Sequence, residues 1–202
     1  MMSLHKKIAM AGLGVGVALL VTPAIGYSAT NHLPVGTRVD AKLQSGTDMI
    51  FHGQIDGEAI VVTCKSFTAS GTIPKGNVYK MKLTHPPAIT GCTDDLGGTD
   101  TITTNSTNGR WSLSVNRTSP YTLTLTIPKA GSTFESSLLG NSCVVTVAPT
   151  AAVPVAGSYN ATTGYDTVSG ASIATTGTGC TSKPAKTYAT VVLTPNPGAP
   201  PF

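Results

Sequence analysis

Apolar and polar side chains alternate at a period of two in residues 99–128, the stretch of this chain that most constrains its fold. Trp111, Leu113 and Val115 share one parity, and the residues between them are polar. Because successive side chains of a strand point to opposite faces, the pattern predicts strands with one buried face. The stretch is therefore predicted to form a three-stranded meander.

Turn signals separate the alternating runs. Asn108-Gly109 tolerates positive φ at both positions and predicts a hairpin inside the meander. Residues 48–64 predict an earlier hairpin around Asp56-Gly57. Further strands are predicted near residues 36–43, 78–83, 143–148, 152–159 and 187–194.

The number and shortness of these runs indicate an all-β fold. We expect a single-domain β-sandwich, Ig-like or jelly-roll-like, of roughly ten short strands with two disulfides. This domain would span residues 30–194, after a signal peptide at 1–29 and before a Pro-rich flexible tail at 195–202.

The N-terminus has the order of a secretory signal peptide. Lys6 and Lys7 precede an uncharged apolar run over residues 8–21, and small residues follow, with cleavage expected after Gly26 or Ala29. The run of about 14 residues is shorter than the roughly 20 that a spanning helix needs. We therefore expect a secreted or cell-envelope-associated protein with no integral membrane span after cleavage.

Four cysteines lie in the predicted mature chain, which in an exported protein indicates disulfides. Sequence order favours the pairs Cys64–Cys92 and Cys143–Cys180 among the three possible pairings. A zinc site would need close pairs such as C-x-x-C, and every gap here is far longer.

Charge and motifs exclude several functions. Removal of Lys6 and Lys7 with the signal peptide lowers the formal net charge from +4 by two, which gives no electrostatic case for nucleic acid. There is no G-x-S-x-G elbow, and no pair of acids stands out as a glycosidase dyad. We therefore predict that the protein is not an enzyme and needs no cofactor.

Residues 89–100, ITGCTDDLGGTD, concentrate acids and glycines beside Cys92. Calcium binding by Asp94, Asp95 and Asp100 is an open alternative, but the stretch does not match the EF-hand loop pattern. Asp and Gly favour turns for backbone reasons alone. A disulfide-held turn leading into a strand is the preferred interpretation, with no metal.

Threonines form two alternating rows, which a binding surface could use. They are Thr122, Thr124 and Thr126 in one strand and Thr101 and Thr103 in a strand predicted to be its neighbour. A flat hydroxyl ladder could bind a glycan or ice. The structural alternative is that threonine is a good strand former on a solvated face.

Four segments follow one another along the chain: the apolar hairpin, Cys-Thr-Asp-Asp at 92–95, Gly-Arg-Trp at 109–111 and Cys-Val-Val-Thr-Val at 143–147. In this the chain resembles small secreted all-β proteins of actinobacteria that carry no assigned activity. The resemblance implies no catalytic residues.

The expected function is therefore that of an exported, non-catalytic protein with a binding or structural role in the cell envelope or outside the cell. Its partner would be an envelope or extracellular polymer or protein. Two alternatives remain open: a secreted hydrolase or calcium-dependent enzyme acting on envelope polymer, and a threonine-ladder binder of glycan or ice.

Overall fold

The computed structural model describes residues 35–75, 80–116, 119–137, 143–160 and 163–196. The predicted signal peptide, with both candidate cleavage sites, lies outside the described residues, as does the predicted tail beyond residue 196. In the part of the chain that the structure describes, no helix has the length and apolar character needed to cross a membrane.

All regular structure in these ranges is β-strand. The strands are β1 (Arg38–Leu43), β2 (Met49–Ile55), β3 (Glu58–Thr72), β4 (Lys80–Leu83), β5 (Ala88–Asp94), β6 (Thr99–Thr104), β7 (Ser112–Asn116), β8 (Thr122–Ile127), β9 (Ser132–Ser136), β10 (Val144–Val147), β11 (Val153–Asn160), β12 (Tyr165–Ile173), β13 (Thr175–Thr178) and β14 (Ser182–Asn196). The last strand therefore extends two residues into the segment predicted as a tail.

Eight of these strands close into a ring. In order they are β1, β14, β12, β11, β8, β7, β4 and β3, and β3 pairs with β1 to complete the circle. Every pairing in the ring is antiparallel. We call this set of eight strands the closed ring.

The other six strands lie outside the closed ring and extend its wall. β2 pairs with β14 and β3, which are the same two strands that flank β1, but at other residues of those long strands. β5 pairs with β3 beside the segment of β3 that pairs with β4. From β5 the sheet continues through neighbouring strands in the order β6, β9, β10 and β13. Because β3 and β14 are each 15 residues long, they run through both parts. We call the six strands, with the first halves of β3 and β14, the second tier.

The prediction of a β-sandwich is wrong, because the sheet closes on itself. The closing contacts join β1 to β14 over six residue pairs, Arg38↔Asn196 through Leu43↔Val191. An alternating strand buries one face equally well against a second sheet or inside a barrel, so local pattern cannot distinguish the two. Closure pairs the strands that a sandwich would leave at its edges. The number of strands was also underestimated, because roughly ten were predicted and the described residues contain fourteen.

Several local predictions are confirmed. β2 and β3 form the hairpin predicted over 48–64, with Asp56 and Gly57 at positive φ in its turn. Trp111 and Leu113 are buried in the core with Val115 packed beside them. Burial of these apolar side chains contributes to the free energy of unfolding at roughly 25 cal/mol per Å² of apolar surface removed from water.

The Asn108-Gly109 hairpin is wrong. β6 pairs with β5 and β9, whereas β7 pairs with β4 and β8, so β6 and β7 do not pair with each other. The intervening segment is held across the sheet instead: the Asn105 side-chain amide donates to the Ala130 carbonyl at 2.9 Å, and Trp111 Nε1 donates to the Asn105 carbonyl at 2.8 Å. The Asn105–Ala130 hydrogen bond is a long-range contact, and the Trp111–Asn105 hydrogen bond closes a local loop around Asn108-Gly109 in place of the predicted hairpin.

Both predicted disulfides are present. Cys64 and Cys92 are directly opposite each other on β3 and β5, and both are buried. Cys143, just before β10, is bonded to Cys180 in the turn between β13 and β14. Two disulfides are compatible with an extracellular location.

Candidate functional site: an apolar cavity inside the barrel

A cavity of about 120 Å³ lies inside the barrel, mainly within the second tier. Side chains from nearly every strand around it form the wall, including Phe51, Ile60, Ile102, Phe134 and Trp111. The wall is overwhelmingly apolar. Small-molecule sites in proteins are typically lined in this way, by aromatic rings and branched aliphatic side chains.

Strand alternation positions these groups. On β2, Met49, Phe51, Gly53 and Ile55 have the same parity and all line the cavity, whereas His52 is exposed on the other face. The His52 ring packs against Tyr188 of β14 with 5.0 Å between ring centroids. The period-two pattern therefore separates an apolar lumen from a polar outer surface along most of β2. Gln54, which has the parity of His52, is an exception near the end of the strand, because it also lines the cavity.

Polar lining residues are concentrated where β2, β13 and β14 meet. Gln54 and Lys183 are paired in register there. Ser182 Oγ donates to Thr175 Oγ1 at 3.2 Å, and Thr175 Oγ1 donates to the Lys183 carbonyl at 2.7 Å. We call Gln54, Thr175, Ser182 and Lys183 the polar corner.

The acidic stretch is a turn organised by Asp94. Its Oδ1 accepts hydrogen bonds from the backbone N–H groups of Leu96 at 3.0 Å and Gly98 at 2.7 Å. Its Oδ2 accepts from Ser136 Oγ of β9 at 2.7 Å. Burial by itself would raise the pKa of Asp94, but these three hydrogen bonds outweigh it and hold the pKa below its ordinary value. The carboxylate thus fixes the β5–β6 turn to β9.

Asp100 lies beside Asp94 and is also buried. Burial and, to a smaller extent, the negative charge of Asp94 raise the pKa of Asp100 to about 6. Neither carboxyl oxygen of Asp100 has a hydrogen-bond partner within the described residues. Asp100 is therefore a destabilising group near neutral pH and not a stabilising one.

The structure brings together Asp94 and Asp100 but not Asp95. Asp95 is exposed, and its Oδ1 accepts a hydrogen bond from the Val61 backbone N–H at 2.9 Å. Among the residues that the structure describes, no group of three or more His, Cys, Asp or Glu side chains is arranged to hold a metal ion. In the described residues the three acids are therefore not gathered into one group, and Asp94 has a structural role in the β5–β6 turn.

The two threonine rows are not adjacent. Thr101 and Thr103 lie on β6, whose neighbours are β5 and β9. Thr122, Thr124 and Thr126 lie on β8, whose neighbours are β7 and β11. The five hydroxyls do not form one continuous ladder.

Sequence reasoning missed Asp166, a buried acid on β12. It is 4% exposed, its Oδ1 has no hydrogen-bond partner among the described residues, and burial raises its pKa to about 7. The carboxylate lies over Gly157 of β11, where a Cβ would collide with it. The sequence did contain one sign of this burial. Asp166 lies two residues before the apolar Val168, and residues two apart in a strand share a face.

The cavity itself gave no local sequence signal. Its wall combines residues from Met49 to Thr187, and only closure of the barrel brings them around one space. No protein-family model matches this sequence, and neither a curated protein nor a solved structure matches it.

Proposed function

We propose that this protein is an exported, non-catalytic binding protein that holds a small apolar molecule, or the apolar part of one, inside its barrel. The observation that carries this proposal is the apolar cavity of about 120 Å³ within the barrel. An engineered apolar cavity of about 150 Å³ stays dry and binds benzene, so a space of this size accommodates a group of about six carbon atoms.

Barrel closure supports a binding role. Eight-stranded barrels have an interior that side chains fill or that holds one small ligand, depending on the side chains that point inward. Here the inward positions of β2 include Gly53, which leaves space in the wall. Transfer of a ligand's apolar surface from water into this lining is favourable because of the hydrophobic effect.

The hydrolase alternative receives less support. Hydrolysis of a polymer requires acidic groups that reach the substrate, whereas Asp94 and Asp100 are 7% and 6% exposed. Asp95 lies apart from them on the surface. A glycan or ice binder based on threonine would need the two rows on adjoining strands, and β6 and β8 do not pair.

The proposal is tested with the intrinsic fluorescence of Trp111, the one tryptophan of the chain, whose side chain lines the cavity. Titration of the oxidised protein with 1-hexanol is expected to change Trp111 emission with a saturable dependence on concentration. Val147→Phe places a larger side chain in the cavity and is expected to abolish the saturable change.

Val144→Phe is the matched control, because Val144 lies on the same strand but does not line the cavity. It should bind 1-hexanol as the parent protein does. Circular dichroism and urea unfolding establish that both variants are folded. If 1-hexanol, benzene and cyclohexane all leave the emission of the folded parent protein unchanged, the cavity does not bind small apolar molecules and the proposal is wrong.

A further inference from the structure

The polar groups of the cavity wall are unevenly distributed, and this asymmetry carries information about the ligand. Four of the six polar lining residues belong to the polar corner, whereas β6 and β10 contribute only apolar side chains to the wall. A ligand that matches this lining has an apolar portion and one polar end.

The wall of the barrel is weakest at the same corner. β13 and β14 follow each other in the chain and lie side by side. Yet β13 pairs with β10, and the β12–β14 register ends at Ile173↔Ala185; no pairing joins β13 to β14 in the described part of the chain. Pro184 sits at this point of β14 and has no N–H to donate to a ladder. We call this unpaired boundary the β13–β14 seam.

The disulfide leaves the seam unclosed. Cys180 in the β13–β14 turn is bonded to Cys143, which precedes β10, so the covalent link ties the turn to β10's side of the barrel. Among the described residues, the hydrogen bonds that join β13 to β14 there are the two that Thr175 Oγ1 makes. The seam therefore is the part of the wall where a ligand's polar end can reach solvent at the least cost in broken backbone hydrogen bonds.

Two opposite charges lie near the seam, and one of them lines the cavity. Asp56 Oδ1 accepts hydrogen bonds from the Thr181 backbone N–H at 2.7 Å and from Thr181 Oγ1 at 3.0 Å, so this carboxylate is bound to the β13–β14 turn and does not line the cavity. Lys183 is the one charged residue that lines the cavity, and it is exposed. Within the described residues its ammonium group forms no ion pair. A lysine stem packs along apolar surface while its ammonium stays in water, which suits a position at the mouth of an apolar space.

We infer that the natural ligand is an amphipathic organic anion, with its apolar portion in the cavity and its anionic group at the β13–β14 seam beside Lys183. This inference rests on the proposed function and specifies its ligand class. The Ser182 and Thr175 hydroxyl protons are already donated to Thr175 Oγ1 and to the Lys183 carbonyl, and one Gln54 amide N–H is donated to the Gly57 carbonyl at 2.6 Å. The second Gln54 N–H is therefore the neutral donor of the polar corner that remains for the anionic group.

The test compares three six-carbon probes that differ in the polar end: hexanoate, 1-hexanol and hexylammonium. Binding is followed by Trp111 emission in the oxidised protein. Hexanoate is expected to bind most tightly and hexylammonium least. Because the ion pair is exposed, its effect is modest: Lys183→Gln should weaken hexanoate about fivefold or less and leave 1-hexanol unchanged.

Lys186→Gln is the matched control, since Lys186 is an exposed lysine of the same strand that does not line the cavity. It removes the same charge and should leave the preference for hexanoate over 1-hexanol intact. Raising NaCl from about 0.02 M to about 0.5 M should weaken hexanoate binding selectively, because salt screens an exposed ion pair.

The outcomes separate the two proposals. If 1-hexanol binds but hexanoate binds no better, or if Lys183→Gln and Lys186→Gln have equal effects, the inferred ligand class is wrong and the proposed function stands. If none of the three probes binds, this inference fails, and the proposed function fails with it when benzene and cyclohexane do not bind either.

Discussion

Replacing Asp166 with asparagine should make the protein more stable at high pH and remove part of its pH dependence. The carboxyl group is 4% exposed and lies over Gly157 inside the closed ring, and its Oδ1 has no hydrogen-bond partner within the described residues. Burial raises its pKa to about 7. In the folded protein the group therefore favours its neutral form, and ionisation opposes folding.

The magnitude follows from the pKa in the two states. An unfolded chain has an aspartate pKa of about 3.9, so the difference is about 3 units, and each unit corresponds to about 1.4 kcal/mol. For a group whose pKa is raised on folding, the contribution to stability is fully present below the unfolded pKa and is lost as pH rises through the folded pKa. Asp166 should therefore lower the free energy of unfolding by roughly 4 kcal/mol between about pH 3 and about pH 8.

The measurement is urea unfolding of the parent protein and Asp166→Asn from about pH 4.5 to about pH 8, where the Asp166 contribution changes by roughly 3 kcal/mol. The advantage of Asp166→Asn should grow by this amount across the range. Any cost of burying the amide is the same at every pH and cancels in the comparison. Glu58→Gln, which removes an exposed charge from the β2–β3 hairpin, is the control. A difference between parent and Asp166→Asn that stays constant across the range would refute the burial argument.

Two further predictions concern buried contacts. Asp94→Ala removes the acceptor of three hydrogen bonds and should lower the free energy of unfolding by about 2–4 kcal/mol at neutral pH. Because the Asp94 pKa is lowered on folding, this loss of stability should shrink as pH falls through about 4. Urea titrations that give equal losses at about pH 3 and about pH 7 would contradict it. Gly157→Ala should destabilise the barrel by about 1–3 kcal/mol because its Cβ meets the Asp166 carboxylate, and Asp166→Ala should recover part of that loss in a double-mutant cycle; purely additive effects would show that the two residues do not interact.

The acidic stretch illustrates how far local sequence analysis reached. Adjacent acids next to a cysteine fit either a turn or a metal site, and the sequence favoured the turn. The parity of Cys92 and Asp94 places both on the inward face, but the partner that decides the outcome, Ser136, is 42 residues away. A hydrogen bond over that distance depends on which strands become neighbours, and no local pattern contains that information.

The candidate site was beyond prediction for a related reason. Each lining residue by itself looks like an ordinary buried apolar residue of a strand. Whether such residues pack tightly or leave a cavity depends on the curvature of the sheet and on the volumes of side chains from ten or more strands at once. Lys183 gave no sequence signal of its own, because its place at the end of an apolar space depends on the pairing of β14 with β2.

The sequence by itself determined the elements: strands from period-two alternation, the Asp56-Gly57 hairpin from positive-φ residues, and two disulfides from an even number of widely spaced cysteines. Tertiary structure alone decided that β1 pairs with β14, which turned a predicted sandwich into a closed barrel, and that the strands of the second tier curve around one apolar cavity. The physical reason is that alternation specifies which face of a strand is buried but not what covers it. That choice rests on pairing between strands some 150 residues apart, such as Arg38 with Asn196, whose energy exists only once the whole sheet has formed.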